Sequence, residues 1–268
     1  MKLTFRIEYR TAWGESIGVM LQGQENNPIM LGTNDGNVWE GSEEMIDAPA
    51  GIPLTYRYGV FLDGQCSRQE SGTMAHIFCP SKKQKSHYIL NDTWKDLPMA
   101  SHLYSAAFSG NYSLENTPKD QCTGEGDIVF RALCPCLHHR NQVLGICGRE
   151  EQLGYWNPDR AICMEEIQAN EWVATLPIKD LKFPLEFKFV AINASTGKVE
   201  EWEMGNNRHL HINDLRKGEI FLTNEMEVQF GSMSRKVAGT AIPVFSLRSE
   251  GSFGVGDFGD LKKLIDWA

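Results

Sequence analysis

Two tryptophans stand in turns of the kind that soluble chains usually fill with polar residues. Trp156 lies in the glycine-containing stretch LGYWNPDR (153–160), and Trp202 lies in EEWEMGNNR, a short step beyond the strand-like run LEFKF. An indole at a loop tip gains free energy when something flat and partly apolar covers it, and the C–H face of a pyranose ring is such a surface. Lys188, Glu203 and Asn207 accompany the two indoles, and their polar groups suit sugar hydroxyls. Stacking on the order of 1–3 kcal/mol per ring makes such a pair a micromolar to millimolar site. The opposing reading makes each tryptophan a core plug. It weighs more for Trp39 and Trp172, which open strand-like runs, than for Trp156 and Trp202.

The elements that must position these residues are strands. Before Val237 there is almost no helical periodicity, and short apolar runs alternate with Gly, Pro, Asn and Asp clusters, a pattern that predicts an all-β chain. The runs repeat: VWEGSEEM and PLTYRYGVFLDG in the first half echo EWVATLPI and PLEFKFVAINAS in the second, aligning Trp39 with Trp172 and Tyr56 with Phe187. Two immunoglobulin-like β-sandwiches of about 100 residues account for this repeat. Loops from different strands converge at one end of a sandwich, which brings Trp156 and Trp202 together. The expected boundaries are 1–93 for the first copy, 94–126 for a connector, 127–222 for the second copy and 223–268 for a linker and the start of a further domain. The connector contains Trp94, Tyr104, Phe108 and Tyr112 and is expected to pack on the sandwiches.

Charge and cysteine usage exclude several classes. A net charge of −9, with SKKQK (81–85) as the one basic cluster, argues against nucleic acid as a partner. No apolar run reaches the roughly 18 residues of a membrane span. Seven cysteines form no regular framework and the first ten residues carry four charges, so the reading is a reduced, cytoplasmic protein. Cys134, Cys136, His138 and His139 have metal-ligand chemistry without a zinc-type spacing, so no metal and no cofactor is expected. The pairs Glu43/Glu44 and Glu165/Glu166 read as solvated faces.

QLGYWNP, PLEFKF and VEEWEMGNNR, in this order, resemble the starch-binding modules of carbohydrate-binding family 20, over roughly residues 127–213. The resemblance implies a first glucan site of Trp156, Lys188 and Trp202, with Glu203 and Asn207 as polar contacts. The first copy is similar in FRIEYRTAWGESIGVML, but has no tryptophan after its LG and places Gln69 where the second indole belongs. Its resemblance implies instead a second-type site of Trp13 and Trp39. In the second copy Arg140 stands at the place of Trp13. The implied partners are α-1,4-glucans: starch, glycogen and malto-oligosaccharides. A sandwich pair serving only protein interaction is the alternative.

The last segment, VAGTAIPVFSLRSEGSFGVGDFGDLKKLIDWA, reads as a strand, a glycine-rich loop and an amphipathic helix with Leu261, Leu264 and Ile265 as its buried stripe. GVGDFG lacks the lysine and spacing of a phosphate loop. The segment resembles the opening βα unit of the glycoside hydrolase family 77 barrel, the 4-α-glucanotransferases. A whole barrel needs about 250 residues. The resemblance therefore places the two carboxylic acids of a retaining double displacement beyond Ala268, makes the present residues inactive alone and leaves Asp257 without a catalytic role.

Overall fold

The computed structural model describes residues 1–45, 53–71, 75–80, 87–96, 127–135, 137, 140–168, 170–178, 181–212, 215–216, 218–233 and 242–267. The first copy contributes β1 (Lys2–Glu8), β2 (Glu15–Leu21), β3 (Ile29–Met30), β4 (Gly32–Thr33), β5 (Val38–Glu44), β6 (Leu54–Leu62), β7 (Gln65–Gln69), β8 (His76–Phe78) and β9 (His87–Thr93). The second contributes β10 (Asp127–Leu133), β11 (Gln142–Gly148), β12 (Ile162–Cys163), β13 (Glu165–Gln168), β14 (Glu171–Pro177), β15 (Leu185–Asn193), β16 (Val199–Trp202), β17 (Arg208–Leu210) and β18 (Glu219–Glu227).

The pairing repeats as the sequence does. β1 runs antiparallel to β5 and parallel to β9, and β10 stands in the same relation to β14 and β18. Likewise β6 pairs with β2, β7 and β8, and β15 with β11, β16 and β17. Trp39 faces Ile7 across one ladder and Trp172 faces Ala132 across the equivalent one.

The copies are not two separate sandwiches on a connector. β9 and β18 pair in parallel, Glu219 with His87 through Leu222 with Leu90, and fuse the larger sheets into one of eight strands ordered β13-β14-β10-β18-β9-β1-β5-β4. Left alone, each of these strands would present an open ladder edge; pairing satisfies both. Because strand side chains alternate, the shared sheet carries a core on each face. Leu3, Phe5, Ile7, Tyr88, Leu90, Ile220 and Leu222 join the core beneath β2 and β6. Ile128, Phe130, Ala132 and Phe221 point the other way, into the core beneath β11 and β15. Each five-stranded sheet thus covers its own face of a common layer. Of the connector, Trp94 stacks on Tyr9 with ring centroids 4.3 Å apart. Residues 97–126, and with them Tyr104, Phe108 and Tyr112, lie outside the described residues, as does SKKQK.

Residues 234–268 form a second compact unit. Its helix α1 (Phe258–Trp267) contains Leu261, Leu264 and Ile265, as the sequence predicts. Asp257 caps it, its carboxylate accepting from the backbone N–H groups of Gly259 and Asp260 at 2.7 and 3.0 Å, a structural task. Asp260 accepts from Ser249, from Ser252 at 2.7 Å and from the Asp257 amide at 3.1 Å. These bonds, the Ser249 hydroxyl foremost, hold its carboxyl below the usual range. Of the strand-like run, residues 237–241 lie outside the described residues, and 242–257 contain a short 3-10 turn at Val244–Ser246 and no strand. One expectation fails: the stripe is not buried, for Leu261 and Leu264 are half-covered and Ile265 is exposed. The other large apolar side chains described in this unit, Ile242, Phe245, Phe253 and Val255, are themselves exposed.

Candidate functional site

The turn carrying Trp156 follows β11 and is built from an unusual run of backbone. Gly154, Tyr155 and Trp156 all have positive φ, at 81°, 52° and 60°. At Gly154 a Cβ would lie 2.7 Å from the carbonyl oxygen of Arg160, so only glycine fits. For Tyr155 and Trp156 the left-handed region costs about 1 kcal/mol or more each, a strain that surrounding bonds must hold. Leu153 anchors the turn in the core with no exposure. Asn157 closes it: its N–H donates to the Gly154 carbonyl at 3.0 Å, its side chain accepts from the Asp159 amide at 3.0 Å, and its carbonyl accepts from the Arg160 amide at 2.9 Å.

This geometry carries the Trp156 ring to within 6.2 Å of the Trp202 ring, centroid to centroid, with the planes inclined by 41°. Trp202 ends β16 and is 37% exposed; Trp156 is half-buried. The two indoles expected to meet do meet, and they form a bent, partly solvent-facing surface.

The polar candidates take different places. Lys188 on β15 donates to the carbonyls of Glu203 and Gly205 at 3.0 and 2.7 Å, tying down the loop after Trp202 and keeping one of its three N–H groups for other use. Asn207 is exposed and donates to Glu186 at 2.7 Å. Glu203 departs from the expectation of a sugar contact. It is 4% exposed, accepts from the backbone amide of Phe189 at 2.9 Å and is gripped by the Arg208 guanidinium, whose Nε lies 3.1 and 2.9 Å from its two oxygens. A buried carboxylate with its oxygens so engaged positions the loop and does not reach a ligand.

Several neighbours gave no sequence signal as site residues. Tyr155, 58% exposed, lies beside Trp156 in the same turn. Glu186 links Asn207 to Arg149; the Asn207 amide, and then the Arg149 charge, hold its carboxyl below the usual range. Arg208 braces Glu203, donates to the Glu227 carbonyl at 2.6 Å and lies 5.1 Å over the Phe189 ring. Alternation along β15 could have marked Glu186 as outward-facing, but nothing local ties Arg208 to a carboxylate five residues earlier.

Arg208→Met is expected to leave Glu203 buried without its cation, lowering stability by about 2–4 kcal/mol and loosening the Trp202 loop. Thermal unfolding and sugar titration of the variant check this. A chain with unaltered melting would remove Arg208 from the brace.

In the first copy the two candidates separate. Trp13, in the turn between β1 and β2, is fully exposed. Trp39 is 5% exposed and packed in the core, so neither ring face is open to a sugar, and the expected Trp13–Trp39 surface does not form. The cause is register: Trp39 shares the inward face of its ladder with Ile7, as Trp172 does with Ala132. Gln69 occupies the ladder position of Trp202, opposite Gly59 as Trp202 is opposite Val190. Arg140 of the second copy, in the turn before β11, bonds to Ser232. Among the described residues no group of His, Cys, Asp and Glu side chains could hold a metal ion, and no helix is long and apolar enough to cross a membrane. Cys136, His138 and His139 lie outside the described residues.

Residues 127–221 match the family model described as starch binding domain. Over 99% of its length the chain is 28% identical to the 4-alpha-glucanotransferase DPE2 of Oryza sativa subsp. japonica, and it spans 30% of that relative. Among solved structures, a glycoside hydrolase family 15 glucoamylase from Hypocrea jecorina aligns over 41% of this chain and 18% of its own, at 17% identity and a TM-score of 0.31. The family 20 carbohydrate-binding module of a maltotetraose-forming amylase from Pseudomonas saccharophila aligns over 37% of this chain and 98% of its own, at 19% identity and a TM-score of 0.28.

Proposed function

Taking residues 127–221 as a starch binding domain, we propose that the second sandwich binds α-1,4-glucans on Trp156 and Trp202 and so brings a 4-α-glucanotransferase to its polysaccharide. The observation that carries this reading is the indole pair itself, 6.2 Å apart and inclined by 41° on a strained turn. Successive rings of an α-1,4-linked chain turn relative to one another, and two tilted planes can each meet one ring. Lys188 and Asn207 supply hydrogen bonds at the rim, while Glu203 holds the loop from below.

The remaining parts of the proposal rest on the same chemistry. Trp13 gives the first copy a single exposed indole, a weak auxiliary contact for a branched polymer such as glycogen or amylopectin. The transferase activity is that of a relative of which the chain spans 30%; on this reading the 268 residues bind glucan and do not by themselves turn it over. Cys66, Cys147 and Cys163 are free thiols, which supports a reducing, cytoplasmic setting. A net charge of −9 supports a partner other than nucleic acid.

Titration of the whole chain with maltoheptaose, followed by tryptophan fluorescence, is expected to give a dissociation constant in the micromolar to millimolar range. Cellohexaose, a straight chain, is the control. Equal response to both, or retention of neither amylopectin nor glycogen in a gel-retardation assay, would favour a sandwich pair that serves protein interaction instead.

A further inference from the structure

Beneath the seam between β9 and β18 six charged side chains meet, each more than nine-tenths buried: Glu70, His76, Asp92 and Lys95 from the first copy, Arg131 and Glu225 from the second. Burial strips each of hydration worth several kcal/mol, so the set is tolerable only if its members satisfy one another. Arg131 on β10 donates to Asp92 at 2.7 Å, to the Asn91 carbonyl at 3.1 Å and to the Thr223 carbonyl at 2.5 Å, and its second terminal nitrogen lies 3.8 Å from Glu225. The other Asp92 oxygen accepts from the hydroxyls of Tyr56 and Tyr58, each at 2.7 Å. Lys95 lies 2.8 Å from Glu225, with Glu171 of β14 as a further carboxylate in its field. Glu70 accepts from the Tyr58 and Lys95 amides at 2.8 and 2.7 Å.

His76 completes the set. Its Nε2 lies 3.0 Å from Glu70, and its Nδ1 lies 3.4 Å from Glu225 and 3.8 Å from Asp92. Carboxylates thus face both ring nitrogens, and only an imidazolium carries a proton on each. In that state three cations meet three anions; with a neutral ring one anion is uncompensated.

The internal repeat shows how this position differs between the copies. His76 stands opposite Tyr56 in its ladder and Arg208 stands opposite Phe187 in the equivalent one, so the two cations occupy equivalent positions. Each pairs with a buried glutamate, Glu70 or Glu203, that also accepts from a backbone amide of the neighbouring strand, Tyr58 or Phe189. Beside the sugar platform the cation is a guanidinium, charged at every accessible pH. At the seam it is an imidazole, the one basic side chain whose ordinary pKa lies near neutrality.

We propose that the seam is a titratable latch: six charges drawn from both copies, neutral only while His76 is an imidazolium, that make the tandem sandwiches hold and release as a single body. The proposal is independent of sugar binding, since none of its residues touches the Trp156–Trp202 surface. Burial alone would favour the neutral ring, but Glu225 first, then Asp92 and Glu70, outweigh it and push the His76 pKa from 6.5 up to about 9. A group whose pKa is raised on folding contributes stability that is present in full below pH 6.5 and is lost as pH rises through about 9. Against the cost of burial, Lys95 first, then His76 and Arg131, hold Glu225 far below the carboxylate range, so its share is present above about pH 4.5 and fades on strong acidification.

The test is thermal unfolding of the whole chain between pH 6 and 10, set beside His76→Gln. The unmodified chain should lose on the order of 5–10 °C in Tm between pH 7 and 10 beyond whatever the variant loses, and the variant should begin lower by a similar amount at pH 7. Parallel pH profiles for the two chains would overturn the latch. Should His76→Gln fail to fold, imidazole ¹⁵N shifts in the unmodified chain still decide: both nitrogens protonated at pH 7 supports the proposal, and a neutral tautomer refutes it. Hydrogen exchange above pH 9 tests the single body. Amides of β2 and β11 should lose protection together, and loss in one copy alone would overturn that part.

Discussion

Replacing Trp156 and Trp202 together by Ala should weaken maltoheptaose binding by about 10²-fold or more while leaving the chain folded, since two stacked rings at roughly 1–3 kcal/mol each disappear from the surface. The Trp202 indole is 37% exposed and that of Trp156 half-buried, so their truncation removes little core. A stability loss of about 1–2 kcal/mol is expected, against about 3–5 kcal/mol for a buried indole. Trp172→Ala supplies the contrast. That ring is 2% exposed, donates to the Cys134 carbonyl at 3.3 Å and belongs to the core beneath β11 and β15. Its loss should lower the melting temperature sharply and leave the affinity of whatever remains folded nearly unchanged. Calorimetric titration together with thermal unfolding of both variants distinguishes the cases. Intact binding in the folded double variant would remove the platform, and a melting loss equal to that of Trp172→Ala would make the two indoles core plugs. The measurement belongs on the whole chain, because the second copy shares its sheet with the first.

Arg131→Leu should be the most damaging single change in the molecule. The guanidinium makes charge-assisted bonds to Asp92 and to the carbonyls of Asn91 and Thr223, and no water can replace it at 4% side-chain exposure. Removing one partner of a buried ion pair typically costs about 3–5 kcal/mol, because the partner left behind keeps its desolvation penalty. Here Asp92 retains two tyrosine hydroxyls, which softens the loss, but the set is left with three anions against two cations. For a chain of this size the change corresponds to roughly 6–20 °C in melting temperature. Asp92→Asn in the same background should restore part of it, a coupling that a double-mutant cycle measures. Additive effects of the two substitutions would mean that Arg131 and Asp92 are held by their surroundings and not by each other.

Much of the site was legible in the sequence because its signals are local. Gly154 followed by Tyr155 and Trp156 is a turn that only glycine can open, and Lys188 and Trp202 lie on strands whose alternation is plain. The repeat was legible for the same reason, since equivalent strands carry equivalent patterns. What could not be read from residue type was which way a side chain faces. Trp13 and Trp39 are equally aromatic and equally close to strand ends, yet one lies in solvent and the other in the core; ladder register, set by residues far along the chain, makes the difference. Glu203 has the chemistry of a sugar ligand, and only the placement of Arg208 turned it inward.

The largest decision belongs to tertiary structure alone. β9 and β18 are separated by more than a hundred residues, and neither carries a local mark of its partner. Their pairing places Arg131 on the face that holds Asp92 and His76, whereas its counterpart in the repeat, Arg6, points to solvent. A polar residue in a strand reads as outward-facing. Asp92, Arg131 and Glu225 face inward because a shared sheet with a core on each side leaves them no outward face and supplies their counter-charges instead. Local residue type determined the strands, the turns and the aromatic pair; the joining of distant edges determined that two repeats became one body and which of their charges lie inside it.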